Sequence, residues 1–573
     1  MAQNAGRARA GTGLSLAKMI GVVAESADFD VVREFFELFK TPWEFCRGNQ
    51  HYEVLLCAAD VPFEATADIV LVYAGRKVCF DQKRSISIGK CVDRFCVLSE
   101  RETEIPIYGG AVSFATSAAP LLTHQPGGEC GAFFERLGDT SYIRIGYDLL
   151  AEIRMLLTAG QPPAQAHFPT LELHIDLLRR WIIGCGIELV EIPPVPEGYR
   201  FIACLTHDVD HPFIGKRMLD HTTVGFLFRT VVMWFWDLVR GRTTLQNVLT
   251  NWKATLKLPF IHLGLAKDLW SDFDEQYASY EKGLATTYFV IPFQGRAGIG
   301  PEGNAPARRA SSYGAKDIEG QIARITKAGN EVCLHGIDAW CDRTKAREEM
   351  DEIRKVSGAS RIGVRMHWLY QSAQTSSALE DAGADYDSTV GYGVTVGYRA
   401  GATQPYKPFG ASRLLELPMH VMDTALFYLS YLGLTHRGAM DRLAPMFENA
   451  TRFGGCLTVN WHDRSLAPER LWGVTYGEIL SELRERDPWF ATAGDAVAWF
   501  RKRRSATFAR STTNPEAAQV QFAADVPPNL PGLLLRIHKP AAHSTIPPAT
   551  TSHHVDLPIR ESVGISVSPM VEQ

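Results

Sequence analysis

The sequence predicts an α/β protein: a parallel sheet or barrel wrapped by helices, preceded by a mixed α+β N-terminal domain and followed by a small β-rich or flexible tail. Three observations predict it. Between Tyr199 and about Arg504, short apolar runs alternate with amphipathic helical stretches, the texture of repeated β-then-α units. Pro193, Pro194, Pro196 and Gly198 punctuate the chain just before that block. Beyond Arg504 the composition turns to Thr, Ser, Pro and Ala. At 573 residues the chain is too long for one core. The domains expected are 1–198, 199–504 with a helical insert at 213–284, and 505–573.

In the first domain, residues 52–58 and 68–74 read as strands, and 147–159 and 171–183 as helices by the spacing of their apolar residues. Its His and Asp residues are isolated, so structural roles are expected there. In the second, strands are expected at 201–206, 285–291, 331–334, 361–364, 414–417 and 456–461. Helices are expected at 317–328, closed by Gly329, at 344–355, at 466–486 and at 493–504. In the tail, 519–522 and 533–537 are candidate strands, with flexible chain after Lys539.

Hydrophobic residues make up 46% and charged residues 21%, which excludes a largely disordered or fibrous chain. A net charge of −5 gives no footprint for general nucleic-acid binding. The 11 cysteines are odd in number, scattered and free of CxxC pairs. That argues against a disulfide scaffold and a thiolate zinc site, and for reduced thiols in the cytoplasm. Residues 1–23 do not read as a secretory signal, because the apolar run is broken by Ala17-Lys18. Residues 223–239 are apolar and aromatic but carry Arg229 and Asp237 and precede Arg240 and Arg242. They fall short of the roughly 20 uninterrupted apolar residues of a spanning helix. The expectation is a helix packed on the protein, with peripheral membrane contact as the alternative, since Trp234 and Trp236 suit the interface.

The chemistry-bearing residues fall at strand ends. In Thr206-His207-Asp208-Val209-Asp210-His211, Asp208 and Asp210 are two apart on a strand and face one side. Two such carboxylates repel unless a cation or a shared proton relieves them, and a divalent metal does so. His335 closes the apolar run 331–334 and offers an imidazole at the same sheet end. Arg365 and His367 share a face on the next strand, where Arg365 could neutralise Asp208 or Glu416. Thr458, Asn460 and His462 form a polar stripe in a strand type that is usually apolar throughout, which marks a functional face. Glu416, inside an apolar run, is expected to pair with a base such as Arg365 or Arg399.

In order and spacing these motifs resemble the polysaccharide deacetylase superfamily, the NodB-homology domain, over 199–504, roughly half the chain. Thr206-His207-Asp208-Val209-Asp210 is similar to its first motif, and Ala285-Thr286-Thr287-Tyr288-Phe289 to its Ala-Thr-Phe-Phe strand. His335 matches the first His of the second motif, Arg365 the Arg of the third, and Tyr386-Asp387-Ser388 the stretch after it. Val459-Asn460-Trp461-His462 matches the last strand. The resemblance implies a distorted (β/α) barrel with fewer than eight regular strands. It also implies metal-dependent removal of acetyl groups from N-acetylated sugars of a polysaccharide or glycan precursor, as in exopolysaccharide metabolism.

By position, Asp208 would be the general base, Asp210 and His335 metal ligands, His462 the general acid, and Arg365 the residue holding Asp208. The divalent ion would be zinc foremost, with other ions open. Tyr288, Trp340 and Trp461 are expected to contact the sugar. The family's second motif usually has another His four residues on, where this chain has Ala339. His367, in place of the usual Pro of Arg-x-Pro, is the first candidate for the missing ligand, ahead of His211 and Asp338. Two other readings stand beside a glycan deacetylase: a related amide or ester hydrolase, and a non-catalytic carbohydrate-binding subunit of a polysaccharide pathway. The insert 213–284 is expected to cover the mouth or shape the groove.

Overall fold

The computed structural model describes residues 19–61, 64–116, 118–216, 221–241, 243–510, 518–521, 529–540 and 553–559. The chain forms two compact units, one of residues 156–172 and 198–498, the other of 1–155, 173–197 and 499–573.

The first of these holds eight parallel strands: β1 (Ile202–Val209), β2 (Thr286–Val290), β3 (Glu331–Gly336), β4 (Val364–Met366), β5 (Tyr386–Asp387), β6 (Leu415–Glu416), β7 (Val421–Met422) and β8 (Cys456–Asn460). Their order is β6-β5-β4-β3-β2-β1-β8-β7, and Trp489–Phe490 adds a short parallel pairing at the start of β1. Five of the eight have three or more residues and three have two, so the sheet is the irregular α/β barrel-type sheet that the motifs imply. Every residue of β1 is buried, as expected when helices cover one face and the opposite face is filled. The strand expected at 361–364 lies further on, at Val364–Met366. Gly363 precedes it with no room for a side chain, since a Cβ there would sit 2.1 Å from the Tyr386 ring.

The register aligns the chemistry. Asp208 pairs with Phe289, His335 with Arg365, Asp387 with Glu416, and Thr206 with Asn460, which brings the functional residues to the C-terminal ends of the strands. Helices Glu319–Lys327, Arg343–Ser357, His436–Phe453 and Gly473–Arg484 follow the strands. Arg343–Ser357 is capped by the Asp342 carboxylate, which accepts from the amides of Thr344 and Lys345, and it ends at Gly358 with φ 71°. The helix expected at 466–486 starts only at Gly473, because residues 463–472 turn back beside β8.

Between β1 and β2 lies a helical hairpin. Its first arm is α-helical at His221–Leu227 and Trp234–Val239, with a π-helical turn at Phe228–Met233 between them. Its second arm is Leu245–His262, capped by Thr244. Phe226, Ala254, Leu258 and Ile261 pack with Ile214 and Trp270 on the inner side. The Thr255 hydroxyl donates to Thr230 across the two arms at 2.8 Å. Among the described residues no helix is long and apolar enough to cross a membrane.

The other unit is built on an eleven-stranded mixed sheet. Strands Trp43–Phe45, Ile20–Val23, His51–Cys57, Thr66–Tyr73 and Thr140–Ile145 run parallel, and the sheet continues antiparallel from Cys130–Leu137. The fully buried Arg144 guanidinium pairs with Asp81 at 2.8 Å inside it. Two described strands of the tail pair with the rest of this unit and with each other. Leu533–Lys539 pairs antiparallel with Leu189–Glu191, and His553–Ile559, within the stretch expected to be flexible, pairs with Leu533–Lys539 in turn. Residues 1–18, which bear on the question of a leader, lie outside the described residues, and the apolar run after them is the strand Ile20–Val23.

Candidate active site

Strand alternation decides which side chains of β1 reach the site. Thr206, Asp208 and Asp210 point one way, while His207 points the other. There His207 hydrogen-bonds Glu281 and the Trp461 carbonyl, both at 2.9 Å, among core rings. The Asp208 carboxylate accepts from Arg365 Nη1 at 2.9 Å and from Asn460 Nδ2 at 2.8 Å. Arg365 is itself fixed, donating to the Ser388 carbonyl, the Ser388 hydroxyl and Thr206 Oγ1, with Phe289 beneath its guanidinium at 4.2 Å. Burial pushes the Asp208 carboxyl up, but Arg365, His335 and His462 outweigh it and hold Asp208 below the usual carboxylate range.

Asp210, His335 and His367 converge. Asp210 Oδ1 lies 3.3 Å from His335 Nε2 and 3.3 Å from His367 Nδ1, and the two imidazole nitrogens are 3.1 Å apart. Asp210 Oδ1 is buried and has no hydrogen-bond partner. Donors bound to zinc at about 2.0–2.1 Å in a tetrahedral set stand roughly 3.4 Å apart, so this trio fits a divalent cation. His335 Nδ1 faces the Arg365 carbonyl at 3.0 Å, which fixes its tautomer and leaves Nε2 bare toward Asp210. Burial opposes ionisation of Asp210, yet His367 and His335 hold its carboxyl well below the ordinary value. His367 thus lies within reach of the same point as Asp210 and His335, and Ala339 is buried. Of the weaker candidates, Asp338 is engaged elsewhere, pairing with Lys345 at 3.0 Å and accepting from the Ile299 amide, and neither Asp338 nor His211 falls in the group of ligand atoms that converge.

His462 adjoins the trio, its Nε2 3.8 Å from Asp210 Oδ2. Its Nδ1 meets the fully buried Asp423 carboxylate at 2.6 Å, and its backbone amide donates to the other Asp423 oxygen at 2.7 Å. The Ser465 hydroxyl also donates to Asp423, and the Tyr277 hydroxyl holds the His462 carbonyl at 2.7 Å. Burial disfavours the imidazolium, but Asp423, Asp210 and Asp208 more than offset it and push His462 up to about 10. Sequence reasoning missed Asp423. Its only trace is a carboxylate directly after the apolar pair Val421–Met422, and nothing local says that this pair lies beside β8.

The three aromatic residues expected to meet sugar do not line the site openly. Tyr288 is in register with His207, not with Asp208, and packs on His207 and Phe273 in the core. Trp461, one residue out of phase with Asn460 and His462, is fully buried against Tyr476 and Phe427. Trp340 is 6% exposed and sits edge-on to Tyr370. The exposed ring beside the ligands is Trp368, 41% exposed, directly after His367. Trp368 and Leu369 both hold left-handed backbone, φ 63° and 54°, which is costly for such side chains. Glu416 also departs from expectation. Its partner is another carboxyl, Asp387, with the Val390 amide at 2.7 Å, while Arg399 donates to the Gly391 carbonyl. Burial pushes Glu416 well up, and Asp387 up to about 6, so this pair retains a proton.

No family model matches the chain, and no curated protein matches it. Among solved structures it is similar to a Mycobacterium smegmatis protein provisionally named a polysaccharide deacetylase, at 17% identity and a TM-score of 0.33, over 54% of this chain and 95% of that one. It is also similar to the Xyl-CE4 domain of a multidomain xylanase from the hindgut metagenome of Trinervitermes trinervoides, at 12% identity and a TM-score of 0.23, over 52% and 89%. A third is 4-alpha-glucanotransferase from Thermococcus litoralis, at 12% identity and a TM-score of 0.27, over 52% of this chain and 38% of that one. The side chains, rather than these likenesses, bear on the chemistry.

Proposed function

We propose that the chain is a metal-dependent hydrolase that removes acetyl groups from N-acetylated sugars of a polysaccharide or glycan precursor. The observation that carries this is the orphaned Asp210 Oδ1 facing His335 and His367, with an ionised carboxylate and a carboxylate-backed imidazole beside it.

Asp210, His335 and His367 would hold the cation, zinc foremost. When bound, such an ion polarises the amide carbonyl and acidifies the attacking water. Arg365 and Asn460 keep Asp208 ionised and aimed, so Asp208 accepts the proton of that water. Asp423 keeps His462 charged and fixes its ring through Nδ1, so Nε2 carries the proton that the departing sugar amine must receive before the C–N bond breaks. A held base and a charged acid both beside the ligand trio are what amide hydrolysis needs and what a purely carbohydrate-binding subunit does not. Ala339, in place of the second His, would favour such a subunit, but His367 beside Asp210 offsets it. Trp368, exposed next to the trio, offers a face for a sugar ring. A cytoplasmic setting belongs to the same reading and is supported by eleven unpaired thiols.

The test is metal analysis of the purified protein together with acetate release from N-acetylated oligosaccharides. About one divalent ion per chain and metal-dependent acetate release are expected. Stoichiometric metal without acetate release would shift the reading to another amide or ester. Absence of metal would end the hydrolytic reading.

A further inference from the structure

Behind His462, three guanidiniums gather beside the carboxylates of Glu469, Asp423 and Asp463, which keep Arg470 charged but leave several guanidinium donors unused. Arg464 and Arg470 lie on the turn after β8, and Arg229 comes from the π-helical turn of the hairpin. The two segments are joined where the Trp234 indole donates to the Glu469 carbonyl at 3.1 Å. Arg470 is 4% exposed. It donates to the Tyr428 hydroxyl at 2.5 Å and lies over the Trp472 ring at 4.6 Å. The half-buried Arg464 makes no side-chain hydrogen bond among the described residues and rests over Trp270 at 5.2 Å. Arg229 Nε, Arg464 Nη1 and Arg470 Nε are all buried without partners. The carboxylate among them, Glu469, accepts from the Trp270 indole through Oε2 and leaves Oε1 unpartnered. Mutual repulsion with Arg470, added to burial, lowers Arg229 and Arg464 from their usual range. Tyr428 reports the same positive field, for Arg470 and Arg464 outweigh its burial and hold its phenol low. Buried cations require pairing, and a cluster with spare donors in a fixed fork is built for an oxyanion.

We propose that Arg229, Arg464 and Arg470 form a binding site for an oxyanion carried by the substrate, a carboxylate or phosphate on the glycan at the leaving-group side of His462. The assignment to substrate rests on the hydrolase reading; the site's affinity for an anion does not. The full chain is titrated calorimetrically with sodium sulfate, with and without zinc. One sulfate binds equally in both conditions. Arg464→Gln and Arg470→Gln each weaken it by at least about tenfold, the worth of a charge-assisted hydrogen bond. Asp208→Asn leaves it unchanged. Arg464, being half-buried, is the substitution least able to disturb folding. Sulfate that binds only with zinc, binds the variants as well as the parent, or does not bind overturns the site. Glucuronate and glucose 1-phosphate, titrated alongside, separate a carboxylate from a phosphate source.

A second inference rests on the opposite side of the same hairpin. Phe228, Val231, Phe235 and Val239 on one arm recur at helical spacing and are exposed, while Thr223, Phe226 and Thr230 are buried. Leu249, Trp252, Leu256 and Phe260 do the same on the other arm, with Leu256 72% exposed. Between 213 and 267 the chain carries eight Lys or Arg and two Asp, a local charge of +6 in a molecule of −5. Lys253 and Lys257 are exposed among the apolar residues of the second arm. Apolar stripes flanked by cations, with Trp252 in one and the exposed Trp236 beside the other, match an anionic bilayer surface. We infer that the hairpin docks on anionic membrane, apolar side chains in the headgroup boundary and Lys253 and Lys257 among the lipid phosphates. The full chain co-sediments with phosphatidylglycerol vesicles and not with phosphatidylcholine alone. Phe235→Glu with Trp252→Glu lowers the bound fraction at least about tenfold, and high salt weakens it. No binding to either vesicle, or a dimer in solution that the same substitutions split, overturns the inference.

Discussion

The two flanks of His462 are built in opposite ways. Toward the strand ends stand two aspartates and two further imidazoles, a set whose one unmatched atom, Asp210 Oδ1, is an acceptor. Toward the hairpin stand three arginines, whose unmatched atoms are donors. On the proposed readings one flank takes a cation and the other an anion. The difference teaches that unpaired buried atoms specify the sign of a missing ligand more directly than net charge does, since the chain as a whole carries only −5.

Substitutions can break this contrast. Asp208→Asn carries the largest expected effect: kcat falls by about 10²–10⁴ while metal content holds. Equal loss of metal would erase the division of labour between Asp208 and Asp210. His367→Ala comes next. Because outer partners of metal ligands are already worth about 10–100-fold in affinity, a direct ligand costs at least as much, read by competition with a chelator; unchanged affinity removes His367 from the trio. Asp423→Asn lowers kcat at least about tenfold through the wrong tautomer of His462, and metal and sulfate affinities stay put. A fall in either would mean that Asp423 does more than orient one ring. The smallest effect is Glu416→Gln. Burial keeps Glu416 protonated against Asp387, so the amide replaces a neutral acid and both turnover and melting temperature stay near the parent. A large loss would show an ionised Glu416 serving Arg365 after all.

Much of the metal flank is legible in the sequence because period-two alternation alone places Asp208 with Asp210 and Arg365 with His367, and because each run ends where its strand ends. The same rule, applied to the aromatics, excludes Tyr288 and Trp461. Their adjacency to the motifs suggests a sugar contact, but adjacency on a strand means the opposite face. Asp423 is not legible, since β7 has two residues and its place beside β8 is a tertiary fact. The arginine flank is hidden for a related reason. Arg229 reads as an interruption in an apolar helix, and nothing near residue 229 reports that residues 464–470 turn back toward it. Likewise the pairing of Leu533–Lys539 with Leu189–Glu191 joins segments hundreds of positions apart, beyond any local pattern.

The wide turn at Phe228–Met233 has one more effect. An α-helix advances about 100° per residue, so a single extra residue accommodated within a turn rotates everything after it by that amount. Upstream of this dislocation the arm is clocked to bury Phe226, and the wide turn itself carries Arg229; downstream it is clocked to set Trp234 against Glu469 and leave Phe235 outward. Excising one residue there would restore a uniform screw and swing the far half of the arm around its axis, uncoupling the indole latch from the guanidinium it accompanies.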